Sequence, residues 1–263
     1  MSASAALFSL LMTVSFACRG EEIDQIVTDR PDFVESSQTV GKRRLQLEMS
    51  IAGDYDKTDG VSTRTLQTPT LLRFGIGSAW ELRLETDGYT RARTDDPSAP
   101  PPVTQYGMTD LSPGLKWHLV DGEGARPSTA LLAHVDVPSG AHSFRGHAVR
   151  PSLRAVFEWE LPADFGLGVM PGVIYDSRDD GHRYTAGVLG VVLGYNWSER
   201  LRTFVEFAGQ QFASSANGGN IITYDVGISY LLTNTVQVDT AVNVGANHFT
   251  PDVAWTVGLS VKF

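Results

Sequence analysis

Apolar and polar residues alternate with a period of two along most of the chain. The closing stretch, 253–263, shows it most plainly. Trp255, Val257, Leu259, Val261 and Phe263 share one face of a strand, and Ala254, Thr256, Gly258, Ser260 and Lys262 share the other. An apolar face opposite a face of polar or small residues suits a strand with lipid on one side and a wet lumen on the other. The same alternation recurs over 44–55, 64–74, 80–89, 110–120, 151–161, 165–176, 184–197, 201–212, 221–232 and 236–247, and less cleanly over 129–137. Most of these segments are close to the ~9–11 residues that a tilted membrane strand requires. With the closing strand the count is twelve, and single-chain bacterial barrels have an even number of strands. The expected fold is therefore all-β: a closed antiparallel transmembrane β-barrel of about twelve strands over residues 44–263.

The connections alternate as well. If the first strand runs outward, every second connection is a periplasmic turn: 75–79, 121–127, 162–164, 198–200 and 233–235, all short and several rich in Gly, Pro, Asp, Asn or Ser. The opposite set includes 90–105, 139–150, 177–183 and 213–220, longer on average and polar, as extracellular loops should be. Trp80, Trp117, Trp159, Tyr195, Trp197, Tyr230 and Phe263 fall near the periplasmic ends on the apolar face, where an aromatic girdle belongs.

Composition agrees with this reading. A hydrophobic content of 42% is low for a helical membrane protein but expected of a barrel that hides its apolar band in alternation. The only apolar run without charge, 5–17, is too short for a spanning helix, which needs roughly 20 residues. It fits the core of a secretory signal over 1–20, with Ser15-Phe16-Ala17 as a small-x-small cleavage site, although no basic residue precedes it. Cys18, the single cysteine, excludes an intramolecular disulfide and leaves N-terminal lipidation as the less favoured alternative. These features point to the outer membrane of a Gram-negative-type bacterium with the mature N-terminus periplasmic. The expected partners are outer-membrane lipid, the barrel-assembly machinery and a small solute. Trp255 and the terminal Phe263 resemble the C-terminal signal that such barrels present for assembly. The net charge of −9 disfavours nucleic acid.

Charges of both signs fall on the inward face: Glu48, Arg73, Glu81, Arg83, Glu85, Lys116, His118, His134, Arg154, Glu158, Arg202, Glu206, Asp225 and Asp239. Facing lipid, each would cost ~2–4 kcal/mol near the midplane, so they are expected to line the lumen. A twelve-stranded barrel lies between the side-chain-filled eight-stranded type and the open porins, and something can fill it. The obvious filler is residues 21–43, which carry Thr28-Asp29-Arg30-Pro31-Asp32-Phe33-Val34-Glu35-Ser36. Arg30, Asp29, Asp32 and Glu35 are placed to tether it to lumen charges, with Phe33 as an apolar anchor. The expectation is a plug-like segment in which Arg30 pairs with Glu81, Glu158 or Glu206.

This motif, the terminal Phe263 and the short turns resemble the outer-membrane family called "putative MetA-pathway of phenol degradation". The resemblance covers residues 25–263. It extends to Gly75-Ile76, Trp80-Glu81-Leu82-Arg83 and the stretch from Asp110-Leu111-Ser112 to Lys116, and departs at Val34, where the family usually has Thr. It implies a transporter-like barrel for small compounds, aromatic or hydrophobic ones among them. The alternatives are a structural or adhesive surface barrel and, less favoured, a barrel hydrolase. Ser112, His118 and His134 share inner faces, but no elbow motif, metal-ligand pattern or phosphate loop accompanies them, and the spacing of His142, His147 and His182 is not that of a ligand set. The chain is therefore expected not to be an enzyme and to carry neither cofactor nor metal.

Overall fold

The computed structural model describes residues 24–178 and 180–263; the apolar run, its cleavage site and Cys18 lie outside the described residues. The strands are β1 (Leu45–Thr58), β2 (Val61–Gln67), β3 (Thr70–Gly75), β4 (Trp80–Thr86), β5 (Tyr89–Asp95), β6 (Val103–Met108), β7 (Ser112–Val120), β8 (Ser128–Asp136), β9 (Arg150–Glu160), β10 (Phe165–Ser177), β11 (Arg183–Asn196), β12 (Leu201–Phe212), β13 (Ile221–Thr233), β14 (Val236–Gly245) and β15 (Val253–Lys262). They form one antiparallel sheet that closes through β1 and β15, from Gln46 opposite Lys262 to Tyr55 opposite Val253. Main-chain bonds between Leu45 and Phe263 fasten the seam at its periplasmic end.

Fifteen strands build twelve barrel positions because three barrel strands are broken. β3 pairs with the first half of β1 and β2 with the second, so β2 and β3 are one strand interrupted around Pro69, which has no N–H to give the ladder. β4 and β5 are likewise one strand, bent at Gly88. Its φ of +74° favours glycine, and a Cβ there would lie 2.1 Å from the Thr68 carbonyl oxygen. β6 and β7 are separated by residues 109–111. The segment expected as a loop, 90–105, is therefore mostly a protruding hairpin of β5 and β6, with only 96–102 as its tip. Arg91 and Arg93 put charge on the outward face of β5, which interrupts the apolar alternation there. The 213–220 connection carries a short 3-10 helix, Ser215–Asn217.

Side chains follow the alternation. On β4, Trp80, Leu82 and Leu84 are exposed while Glu81 and Arg83 are buried. Large apolar residues exposed on the outer surface, such as Ile51, Leu153, Val226 and Val257, form the band that contacts lipid. At the periplasmic end Trp80 stacks on Trp117 with centroids 4.8 Å apart, and Phe165, Tyr195 and Trp197 make a second aromatic group. No helix among the described residues is long and apolar enough to cross a membrane; the strands do so.

Candidate functional site in the barrel interior

Residues 26–40 run through the lumen and are held by inward side chains from most of the wall. Their main chain has few partners of its own, so the wall supplies them. Glu206 accepts from both Phe33 N (2.8 Å) and Val34 N (2.7 Å), Glu81 from Val40 N (2.8 Å), Glu158 from Ser37 N (2.6 Å) and Glu48 from Asp29 N (3.1 Å). In the other direction Arg73 donates to the carbonyls of Val27 and Gln38, and Lys116 to that of Ser36 at 2.7 Å. His118 Nδ1 lies 3.0 Å from Ser37 O, and its Nε2 is 3.0 Å from Asp121 Oδ1. Gln237 donates to Thr28 Oγ1, and Ile26 N bonds the Asn234 carbonyl at the periplasmic rim.

Asp29 is the centre of the charge network. Its carboxylate meets Lys116 Nζ at 2.8 Å, Arg73 Nη1 at 3.3 Å and Arg83 Nη1, all four side chains being buried. Glu35 binds Arg83 Nη2 at 2.6 Å and Arg154 Nη1 at 3.2 Å. The wall contributes the cations Arg73, Arg83 and Lys116 but, at their centre, only the carboxylates Glu48 and Glu81. With Asp29 and Glu35 in place, four carboxylates face four cations, Arg154 being the fourth, as burial of such charges demands. Further along, Asp32 takes a two-pronged contact from Arg202 (3.1 and 2.7 Å), the geometry in which guanidinium best fixes orientation. The Asp29 carboxylate also accepts from Ser36 N, folding the motif back on itself, and Pro31 follows a cis peptide bond.

Arg30 does not pair with Glu81, Glu158 or Glu206. It reaches Asp239 Oδ1 at 3.4 Å and Thr256 Oγ1 at 2.7 Å. The three expected carboxylates are already engaged, Glu81 by Arg73 and Val40 N, Glu158 by Ser37 N, and Glu206 by two main-chain donors. Asp225 stands opposite Glu206 in the β12–β13 register. Trp255 lies outside the lumen, its ring covering Gly53 of β1, where an added Cβ would be 2.9 Å from ring atoms; Phe263 is exposed at the seam.

An apolar sector of the inner wall was not foreseen. Ala130, Leu132, Val156, Met170, Val192, Phe204 and Ala241 are buried around Val34, with Phe33 packed beside them. Gly168 and Gly190 leave room for Val34: Cβ atoms there would lie 3.0 Å and 2.5 Å from its methyl groups. Ala186, Val188 and Ala208 continue this sector toward the extracellular end of β11 and β12. The available signal was that β10 and β11 are apolar or glycine on both faces, which period-two reading assigns to neither side. Below it, a cavity of about 710 Å³ opens at the periplasmic end between the segment and the turns, lined among others by Arg30, Asp32, Glu158 and Arg202.

Ser112, His134 and Glu85 come together but are not arranged as a hydrolytic triad. Ser112 Oγ (3.5 Å) and Glu85 Oε2 (3.4 Å) both face the same ring nitrogen, Nδ1 of His134, while Arg83 Nε donates to Nε2. A triad needs the hydroxyl and the carboxylate on opposite ring nitrogens. Ser112 instead donates to Asp136.

The family described as "Putative MetA-pathway of phenol degradation" matches residues 28–263. The chain belongs to this family. The match begins at Thr28, in the segment that lies in the lumen. Among solved structures, an outer membrane channel from Pseudomonas putida F1 is similar with a TM-score of 0.59 and 11% identity over 94% of this chain and all of that one (100%). The β domain of the Bordetella autotransporter BrkA gives 0.56 and 13% over 84% and 99%, and the KdgM porin bound to oligogalacturonate 0.50 and 12% over 84% and 99%. At these identities the likeness concerns the fold alone, that of an outer-membrane β-barrel. No curated protein matches the chain.

Proposed function

We propose that the protein passes small apolar compounds, aromatic ones included, through its lumen, and that residues 24–43 close the path until they shift. The observation that carries this reading is the division of the inner wall. The wall of β1, β3, β4 and β7 is charged and ties down Asp29 and Glu35 through Arg73, Arg83 and Lys116; on β8 to β12 an apolar belt of Leu132, Val156, Met170, Val192 and Phe204, bordered on β9 and β12 by Arg154, Glu158, Arg202 and Glu206, receives Phe33 and Val34. A wall meant only for polar solutes has no use for a continuous apolar strip, whereas an apolar solute gains ~25 cal/mol per Å² buried against one. The segment's apolar pair then occupies the place a solute takes on its way through. The family's name, with its link to phenol degradation, supports the same solute class.

Met170→Lys and Val192→Asp each put a charge into the strip without touching the ion pairs. In proteoliposomes, either variant should pass a neutral monoaromatic compound at least tenfold more slowly than the wild type, while passage of a polar solute of the same size is not reduced. Equal slowing of both solutes, or of neither, contradicts the reading.

A further inference from the structure

Two arginine pairs face each other across strands in this barrel, and only one of them is neutralised. Arg73 of β3 lies opposite Arg83 of β4 on the inner face, and Asp29, Glu48, Glu81 and Glu35 surround the pair. Arg64 of β2 lies opposite Arg93 of β5. Arg64 stacks on Tyr55, its partner on β1, with the guanidinium carbon 5.5 Å from the ring centre, and Arg91 stacks in the same way on Tyr106 at 6.0 Å. All three arginines are exposed, and Lys57 is exposed one step further along β1. Register places Tyr55, Lys57, Arg64, Arg91, Arg93 and Tyr106 on one face, the outward one, because the intervening Thr90 is buried inside and Thr63 and Thr94 meet across the ladder. The only carboxylate on this face of β1, β2, β5 and β6 is Asp95, opposite Ser62 at the tip, and no ion pair engages the three arginines among the described residues.

Like charges directly opposite each other destabilise a sheet, so this placement costs stability unless an anion spans it. Height tells which anion. From the girdle residue Trp80 to Tyr89 the same barrel strand rises about 20–24 Å at ~3.3 Å per residue and a tilt of 35–45°, close to the ~25 Å of an apolar band. Tyr89 therefore marks the outer edge of the hydrocarbon, and Arg91 and Arg93, two and four residues on, stand at the level of the outer-leaflet headgroups. Arginines at directly opposed and alternate positions of one outward face, two of them over aromatic rings, suit phosphate esters on a membrane surface, since arginine binds phosphate in a two-pronged manner and its stem and the rings remain in apolar surroundings.

We propose that the outward face formed by Arg64, Arg91 and Arg93, with Lys57 beside them, is a docking site for the phosphorylated headgroup of an outer-leaflet glycolipid. Bound there, the lipid neutralises the cluster and holds the β5–β6 hairpin upright at the membrane surface. The site is independent of the lumen.

The test is native mass spectrometry of the purified full chain in detergent with a bisphosphorylated acylated glucosamine disaccharide, its phosphate-free counterpart, and inorganic phosphate. The wild type should retain the bisphosphorylated lipid at least tenfold better than the phosphate-free one, and millimolar inorganic phosphate should not displace it. The R64Q/R91Q/R93Q variant should lose this preference, and R64K/R91K/R93K should recover part of it. Heat-modifiable gel mobility checks that each variant is folded, and the single variant R93Q, expected to lose severalfold, serves if the triple variant does not fold. Equal retention of both lipids by the wild type, undiminished preference in the folded glutamine variants, or full displacement by inorganic phosphate would overturn the proposal.

Discussion

Asp29 of the N-terminal segment and Lys116 of β7 form a buried ion pair 2.8 Å long, with Arg73 and Arg83 on the same carboxylate. An aspartate held by three cations is the strongest single tie between the segment and the wall. Removing one partner of such a set leaves buried charge uncompensated, which costs about 3–5 kcal/mol.

Asp29→Asn should therefore loosen residues 26–40 while the barrel remains closed. Placed in this background, Ser37→Cys, fully buried in the wild type, reports the loosening. Its labelling by a water-soluble maleimide should accelerate by about 10²-fold or more relative to Ser37→Cys alone, the factor corresponding to that energy. Unchanged labelling would mean that the remaining ties, Asp32 to Arg202 and Glu35 to Arg83, hold the segment alone.

Deleting residues 21–40 tests the segment as a whole. The strands and their ladder begin at Leu45, so the barrel should still assemble and show heat-modifiable mobility. Its single-channel conductance, or its leak of small solutes, should exceed that of the intact chain severalfold. A truncated barrel that conducts no better would show that the segment does not narrow the path.

The main chain and the ring of Phe263 can be tested separately. Its main-chain bonds to Leu45 close the seam, while its ring stays exposed to the lipid side. Phe263→Ala keeps the bonds and removes the ring, which costs at most a few kcal/mol of burial. Outer-membrane levels of the variant should fall at least fivefold in cells, whereas the protein refolded in detergent should unfold within a few degrees of the wild type. Equal levels in cells would remove Phe263 from the assembly signal.

Much of the architecture was legible because a barrel writes its two environments into alternate residues. Trp80-Glu81-Leu82-Arg83 reads directly as out and in, and the structure orders them so. The breaks were less legible. Pro69 and Gly88 are visible as punctuators, but whether such a residue ends a strand or bends it depends on neighbours from other strands. In the lumen, the motif around Asp29 was visible as a charged element that needs partners, but not which partners. Arg30 finds Asp239 because competition among donors for Glu81, Glu158 and Glu206 is settled by three-dimensional proximity. The apolar strip was hidden for a further reason. Gly168 and Gly190 carry no side chain to score, yet their absence of a Cβ is what admits Val34.

The most direct measurement is a reversible tether between the segment and the wall. A Cβ at Gly168 would lie 3.9 Å from the Val34 Cβ, within the span of a disulfide, so Val34→Cys with Gly168→Cys, in a Cys18→Ser background that leaves no other thiol, can lock the segment in place. Passage of a neutral monoaromatic compound into proteoliposomes should fall at least tenfold when the pair is oxidised and return on reduction, with each single-cysteine variant unaffected by either treatment. Undiminished passage through the oxidised, cross-linked protein would contradict the account, because solute would then cross without displacing residues 26–40.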